Sequence, residues 1–208
     1  PQKADEQMAA WRRRLLRLPA TPPSGGTFDC VVVGGGLAGC SAALTAARLG
    51  LTVALIQDRP VLGGNASSEI GLPPRGEKRS IVEEVAGRNR ARAIEAEKRI
   101  TLLLGWHAYG VQKQGNRIAA LDARNTRTNE ERRFTAPVFI DCTGDGWIGY
   151  WAGADYRMGR EAADEFGESM APAVADGRTL GCSLMWTSMT ANTAVPFGPL
   201  PWAEPAAQ

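Results

Sequence analysis

The sequence predicts an α/β fold: a parallel central sheet with an antiparallel β-meander inserted into it. Three observations carry this. An apolar run, Phe28-Asp-Cys-Val-Val-Val33, passes through close-spaced glycines into a helix of small residues. A second apolar run, Thr52-Val-Ala-Leu-Ile56, follows at the distance of a β-α-β unit. Short β signals then succeed one another between residues 100 and 141, separated by polar turns.

Taken in order, residues 1–26 form a basic, then Pro/Gly-rich extension ending in a linker. Met8, Trp11, Leu15 and Leu18 share one helical face, which predicts a helix docked on the body by that face. Arg12, Arg13 and Arg14 are followed by Pro19, Pro22 and Pro23 rather than an apolar core, so the segment does not read as a signal peptide. After the first strand, Ala42, Ala43, Ala46 and Ala47 keep the helix slim enough to lie against a sheet. Residues 62–80 form a Gly/Pro-punctuated loop too long to be a mere connector. A helix is predicted over about 81–99, with Glu84–Arg88 and Glu95–Arg99 at i,i+4 spacing on a solvated face.

Residues 100–104 are apolar, while 108–113 and 118–124 flank a hairpin-type turn at Gln114-Gly-Asn-Arg117. With 132–136 they predict a three-stranded meander at about 106–136. Residues 137–141 are apolar at their centre, as in a parallel strand covered on both faces. They run into Cys142-Thr-Gly-Asp-Gly-Trp147 and a further helix, in which Trp147 and Trp151 are expected to pack in the core. Beyond Met158 no element is predicted, and the expected organisation is a main domain over 27–160 followed by the start of another region over 161–208.

Bulk properties narrow the function. A chain of 208 residues with 44% hydrophobic content can bury one sizeable core. Its 24 basic and 22 acidic side chains leave a net charge of +2, which gives no pull towards nucleic acid. No apolar run is long enough to span a bilayer. Cys30, Cys40, Cys142 and Cys182 show no CxxC and no zinc-type spacing; the first three fall in or beside apolar elements and read as small hydrophobes, which fits a reduced, cytoplasmic setting. His107 is the single histidine, so no multi-histidine metal site is available, and no metal is expected.

The turn Gly34-Gly-Gly36-Leu-Ala-Gly39 carries the chemistry. Glycines allow a sharp bend and close approach, and a helix start presents unpaired N–H groups and a positive dipole to a dinucleotide's diphosphate. Such a turn alone is weak evidence, but here the correct strands lie on both sides. Two further segments belong with it: residues 54–68, containing Gln57, Asp58, Gly63, Gly64, Asn65, Ser67 and Ser68, and residues 139–146, containing Thr143, Gly144 and Asp145.

With these three motifs in order, residues 28–160 resemble the FAD-dependent oxidoreductases built on the glutathione-reductase-type Rossmann domain. More closely, they resemble the bacterial FAD-dependent oxidoreductase group. The resemblance implies a Rossmann-like FAD-binding domain in which Gly34, Gly36, Leu37, Ala38 and Gly39 meet the pyrophosphate. Gln57 and Asp58 would hold the adenosine ribose, and Gly63, Gly64, Asn65 and Ser67 would wrap the pyrophosphate from the other side. The main chain at Ala108 would meet the adenine, leaving the His107 imidazole a structural or surface role. Thr143, Gly144 and Asp145 would reach the ribityl chain; the plain structural role for Asp145 is a helix N-cap.

Three departures matter. Gln57 stands where an acidic residue is usual, and Arg59 beside it suggests either a 2′-phosphate, hence NADP, or a pairing with Asp58 or solvent. No cysteine lies between Cys40 and Cys142, which excludes a dithiol in the Gly-Gly loop and leaves electron transfer to the flavin. The segment that would cover the flavin ring is absent, so the chain is expected to be the N-terminal part of a longer flavoenzyme or half of a split one. The missing part is then its expected partner.

No acid or base is assigned. Arg75, Glu77, Lys78 and Arg79 are charged loop residues that face either a substrate or solvent. The expected function is flavin-mediated hydride or electron transfer on a small molecule, with substrate and electron acceptor unidentified. The alternatives are an NAD(P)-dependent dehydrogenase and a non-catalytic dinucleotide-binding module of a larger assembly.

Overall fold

A helix, α1 (Gln2–Leu15), and a short strand, β1 (Ser24–Thr27), precede the central β-α-β unit of β2 (Cys30–Val33), α2 (Leu37–Arg48) and β3 (Val53–Gln57). Two short helices follow, α3 (Ile81–Ala86) and α4 (Arg90–Ala96). Next come β4 (Ile100–Leu104), β5 (Trp106–Gln114), β6 (Arg117–Asn125), β7 (Glu131–Thr135) and β8 (Val138–Asp141), then α5 (Trp147–Ala152) and α6 (Ala163–Phe166). The computed structural model describes residues 2–77, 79–87, 89–181 and 189–196, divided into two units at 1–156 and 157–208. Lys78, Arg88, Cys182 and the segment 197–208 lie outside the described residues.

In the first unit, β4, β3, β2 and β8 form a parallel sheet in that order, with Val31 opposite Ala54 on one side and Phe139 on the other. Successive side chains of a strand point to opposite faces, and this sorts the apolar run into two cores. Val32 and Leu55 pack with Ala43, Leu44 and Ala47 of α2 and with Val85 and Ile94 of α3 and α4. Val31, Val33, Ala54 and Ile56 face a second sheet through Leu121, Ala123 and Phe134. Burying one such side chain contributes about 1.5–3 kcal/mol, and β2 and β3 are buried along their whole lengths. Because β3 and β4 run to one side of β2 and β8 to the other, the crevice at the carboxyl end of β2 is where a ligand belongs.

The second sheet is the expected meander, β5-β6-β7, turning at Gly115 and extended by β1. β1, whose first three residues fall in the stretch read as a linker, pairs parallel with β7; Gly25 has no side chain where the Phe134 ring lies, and a Cβ there would stand 2.6 Å from it.

Several local expectations change. The helix predicted over 81–99 is two helices broken at Gly87, and Glu84 pairs with Arg48 at 2.7 Å across to α2. Arg99 lies past the end of α4. β8 pairs with β2 alone and is an edge strand among the described residues, so Val138 is 49% exposed rather than covered on both faces. Helix α1 docks through charge, not its apolar face. Arg12 and Arg13 both pair with the buried Glu131, and Arg13 also donates to the Tyr109 hydroxyl at 3.0 Å. Met8, Trp11 and Leu15 remain exposed, and Leu18 falls beyond the helix end.

In the second unit, Arg160 and Asp176 exchange backbone hydrogen bonds of 2.9 and 3.0 Å and pair through their side chains, while Arg157 pairs with Glu165 of α6.

Candidate functional site

Strand β2 ends in a bend that packing shapes from three sides. Gly34 has φ +99°, a left-handed value that favours glycine, and a Cβ there would lie 2.2 Å from the Cys142 carbonyl oxygen at the end of β8. A Cβ on Gly39 would lie 1.8 Å from the Gly34 carbonyl oxygen, so α2 can sit on the bend only with glycine at this position. Gly36 differs: it has ordinary extended geometry, φ −69°, and a Cβ there would meet nothing within 4 Å. Neither its backbone geometry nor its neighbours therefore require a glycine at Gly36.

That space is a cleft of about 410 Å³ at the carboxyl ends of β2 and β3. Gly34, Gly36, Gln57 and Asp58 line one part of it, and Gly64 and Asn65 another. Ala108, Thr143, Gly144 and Asp145 complete the set, so the three sequence motifs and the start of β5 meet in one groove. Leu37 and Ala38 form the first turn of α2, where N–H groups have no intrahelical acceptor and no side chain caps them. Gly39, Gly63 and Ser67 are buried just behind the surface.

The two glycine segments are stitched together. Gly63 donates its N–H to the Gly35 carbonyl at 2.8 Å, and Gly36 and Gly63 form a parallel bridge. The buried Gln57 amide fixes the same junction. Its Oε1 accepts the Gly35 N–H at 2.7 Å and its Nε2 donates to the Val61 carbonyl at 3.2 Å. The Ser67 hydroxyl is turned into its own loop, accepting the Glu69 N–H at 3.2 Å. Asp58 and Asn65 are exposed at the cleft, and their side chains make no hydrogen bond among the described residues.

At the far end, Asp141 organises the turn. Its Oδ1 accepts from the Thr143 N–H at 3.0 Å and the Thr143 hydroxyl at 2.7 Å, and its Oδ2 accepts from the Gly149 N–H at 2.9 Å. The Thr143 oxygen in turn accepts the Trp147 N–H at 3.0 Å. Gly146 is the N-cap of α5, so Asp145 does not cap the helix and stands exposed at the cleft.

Other expectations are revised here. Trp147 does not fill the core, whereas Trp151 is half-buried and packs against the cluster that holds the buried Ile148. The two indoles lie against one another, centroids 5.7 Å apart, and form part of the cleft wall, with Trp147 46% exposed. Arg59 lines the cleft as well and pairs with Glu69 at 2.9 Å rather than with Asp58. His107 is exposed and borders the cleft. Arg75 and the Glu77–Arg79 ion pair are exposed.

Burial pushes the Cys40 thiol up to about 11 and raises Cys30 and Cys142, and Cys40 donates weakly to the Gly35 carbonyl. No group of three or more His, Cys, Asp or Glu side chains that could hold a metal is present among the described residues. Nor is any helix there long and apolar enough to cross a membrane.

Sequence reasoning missed Arg90. It lies in the stretch read as a solvated helix, yet it is only 9% exposed and supports the Gly63–Gly64 loop from behind.

A Rossmann-type fold whose glycine turn, Gly-Gly loop and Thr-Gly-Asp turn share one elongated groove defines a dinucleotide-binding flavoprotein domain. The chain belongs to the FAD dependent oxidoreductase family, whose model matches residues 29–95 and 80–207. The cofactor of that family is FAD, and the open cradle at Gly36 with its uncapped helix start fits a diphosphate.

Among solved structures, the chain is similar to a geranylgeranyl bacteriochlorophyll reductase-like protein from Thermoplasma acidophilum. The two share 23% identity over 62% of this chain and 42% of that one, with a TM-score of 0.47. It is also similar to L-proline dehydrogenase from P. horikoshii (25% identity, 61% and 24% covered, TM-score 0.43). A third is thioredoxin reductase from Lactococcus lactis (15% identity, 57% and 32% covered, TM-score 0.42). The chain spans less than half the length of each.

Proposed function

We propose that this chain is the FAD-binding portion of an oxidoreductase that moves a hydride or single electrons between a small-molecule substrate and an electron acceptor. Under this reading residues 27–160 form the FAD-binding domain and residues 161–208 begin the substrate-side region, the rest of the enzyme being its partner. When bound, FAD supplies the redox chemistry through its ring.

The chain's own residues bind and orient. The main chain at Gly34 and Gly36 and the first-turn N–H groups of Leu37, Ala38 and Gly39 face the diphosphate, where the helix dipole favours negative charge. Gly64 and Asn65 close on it from the opposite side, with Gly63 and Ser67 shaping the loop behind them. Asp58 accepts ribose hydroxyl protons beside Gln57, whose amide keeps the glycine turn in register. The Ala108 main chain meets the adenine, and the carboxylate of Asp145 accepts a ribityl hydroxyl proton at the other end, beside Thr143 and Gly144. A cytoplasmic setting belongs to the proposal, supported by the free thiols of Cys30, Cys40 and Cys142.

The observation that carries this reading is the free space at Gly36, where the fold needs no glycine and a ligand does. The test is an absorption spectrum of the protein mixed with FAD and desalted. A retained flavin band, with thermal stabilisation by FAD rather than NAD(P)H, is the expected result. Colourless protein stabilised by NAD(P)H would overturn it in favour of a nicotinamide enzyme. Retained flavin that passes no electrons to any acceptor dye, even in the complete enzyme, would leave a non-catalytic module.

A further inference from the structure

Arg90 opens α4 directly after the break at Gly87, and its guanidinium is turned inward. Nε donates to the Val85 carbonyl at 2.9 Å and Nη2 to the Ala86 carbonyl at 3.2 Å, both at the C-terminal end of α3. Such carbonyls have no partner within their own helix. Nη1 donates to the Leu62 carbonyl at 3.1 Å and the Ala66 carbonyl at 2.8 Å. These two acceptors bracket the Gly63–Gly64 segment on either side.

The loop is moulded on the cation. Gly63 has φ +120°, and a Cβ there would lie 1.7 Å from Nη1, so its backbone rests on the guanidinium. On the other side Gly63 bonds to Gly35, and a Cβ on Gly64 would come within 3.2 Å of the Gly36 Cα. The Gly-Gly segment is thus held between Arg90 and the glycine turn. Among the described residues no carboxylate pairs with Arg90, although a buried charge without a counter-ion is costly.

We propose that Arg90 is a positioning residue for the diphosphate: it fixes the Gly63–Gly64 segment against the Gly35–Gly36 turn and places an uncompensated positive charge behind the loop that faces the phosphates. The inference rests on the FAD reading. It commits Arg90 to the phosphate part of the ligand, not to the adenosine part.

The test compares the protein with its R90K and R90M variants for binding of FAD, ADP and adenosine, which has no phosphate, together with thermal unfolding without ligand. Lysine keeps the charge but, with three donors at one point, cannot span carbonyls on both the helix and the loop. R90K is expected to fold and to bind FAD and ADP about tenfold more weakly, and R90M about a hundredfold, with adenosine changed less than about twofold. A parent protein that binds neither FAD nor ADP would refute the FAD reading itself. If the parent binds and R90K binds ADP equally well, or loses ADP and adenosine in parallel, the proposal is overturned. A protein that folds with neither replacement makes Arg90 a requirement of the core, which also overturns it. If only R90M fails to fold, the R90K ratio of ADP to adenosine decides.

Discussion

Replacing Gly36 separates what the fold needs from what a ligand needs. At φ −69° and ψ −172° the position accepts any L-residue without strain, and a Cβ would touch nothing within 4 Å. Gly36→Ala should therefore leave stability unchanged or raise it by about 0.4–1 kcal/mol, because alanine restricts the unfolded chain. Gly36→Val puts an isopropyl group into the same free space, which is where a diphosphate would approach the first turn of α2. Losing two charge-assisted hydrogen bonds at about 1.5 kcal/mol each gives about 3 kcal/mol, or roughly a hundredfold in Kd. Gly39→Ala is the control. Its Cβ would stand 1.8 Å from the Gly34 carbonyl oxygen, so the bend must shift, at a cost of about 3 kcal/mol in stability. In a chain of this size that lowers Tm by roughly 6–12 °C. Flavin fluorescence titration reads the affinity and thermal unfolding without ligand reads the stability. A Gly36→Val protein with parental FAD affinity would refute the reasoning, as would a Gly36→Ala protein with a much lower Tm.

Two further outcomes follow from the same geometry. Gln57→Leu removes the acceptor of the buried Gly35 N–H, and the unsatisfied group should cost about 1–3 kcal/mol in denaturant unfolding while weakening FAD binding. Cys40 titrates near 11 when folded against 9.0 for an ordinary thiol, so its contribution to stability is complete below pH 9 and is lost as pH rises towards 11. The difference corresponds to about 2–3 kcal/mol. Urea unfolding of the parent and of Cys40→Ala across this range should show the extra loss in the parent only, and a thiol reagent at pH 8 should leave Cys40 unmodified until the chain unfolds.

The strands, the glycine turn and the meander were legible because each is written in local pattern. Residues 30–33 alternate between two cores, residues 34–39 carry glycines at fixed spacing, and Gln114-Gly-Asn-Arg117 announces a hairpin. What the pattern hid depends on partners distant in sequence. Arg90 looks like any helix-surface charge until the carbonyls of Leu62 and Ala66 close around it. Arg59 meets Glu69 ten residues on, not its neighbour. The apolar face of α1 was readable, but the buried Glu131 that draws Arg12 and Arg13 inward was not, so the helix is attached by charge while Met8 and Trp11 stay exposed. The Asp141 network was hidden too, since only folding brings the Gly149 N–H to its carboxylate.

The most direct test of the shared groove is a crystal structure of the protein grown with FAD. The account predicts the diphosphate between Gly36 and Gly64, the adenosine beside Asp58 and Ala108, and the ribityl chain at Asp145. Flavin bound elsewhere, with the space at Gly36 left to solvent, would contradict it.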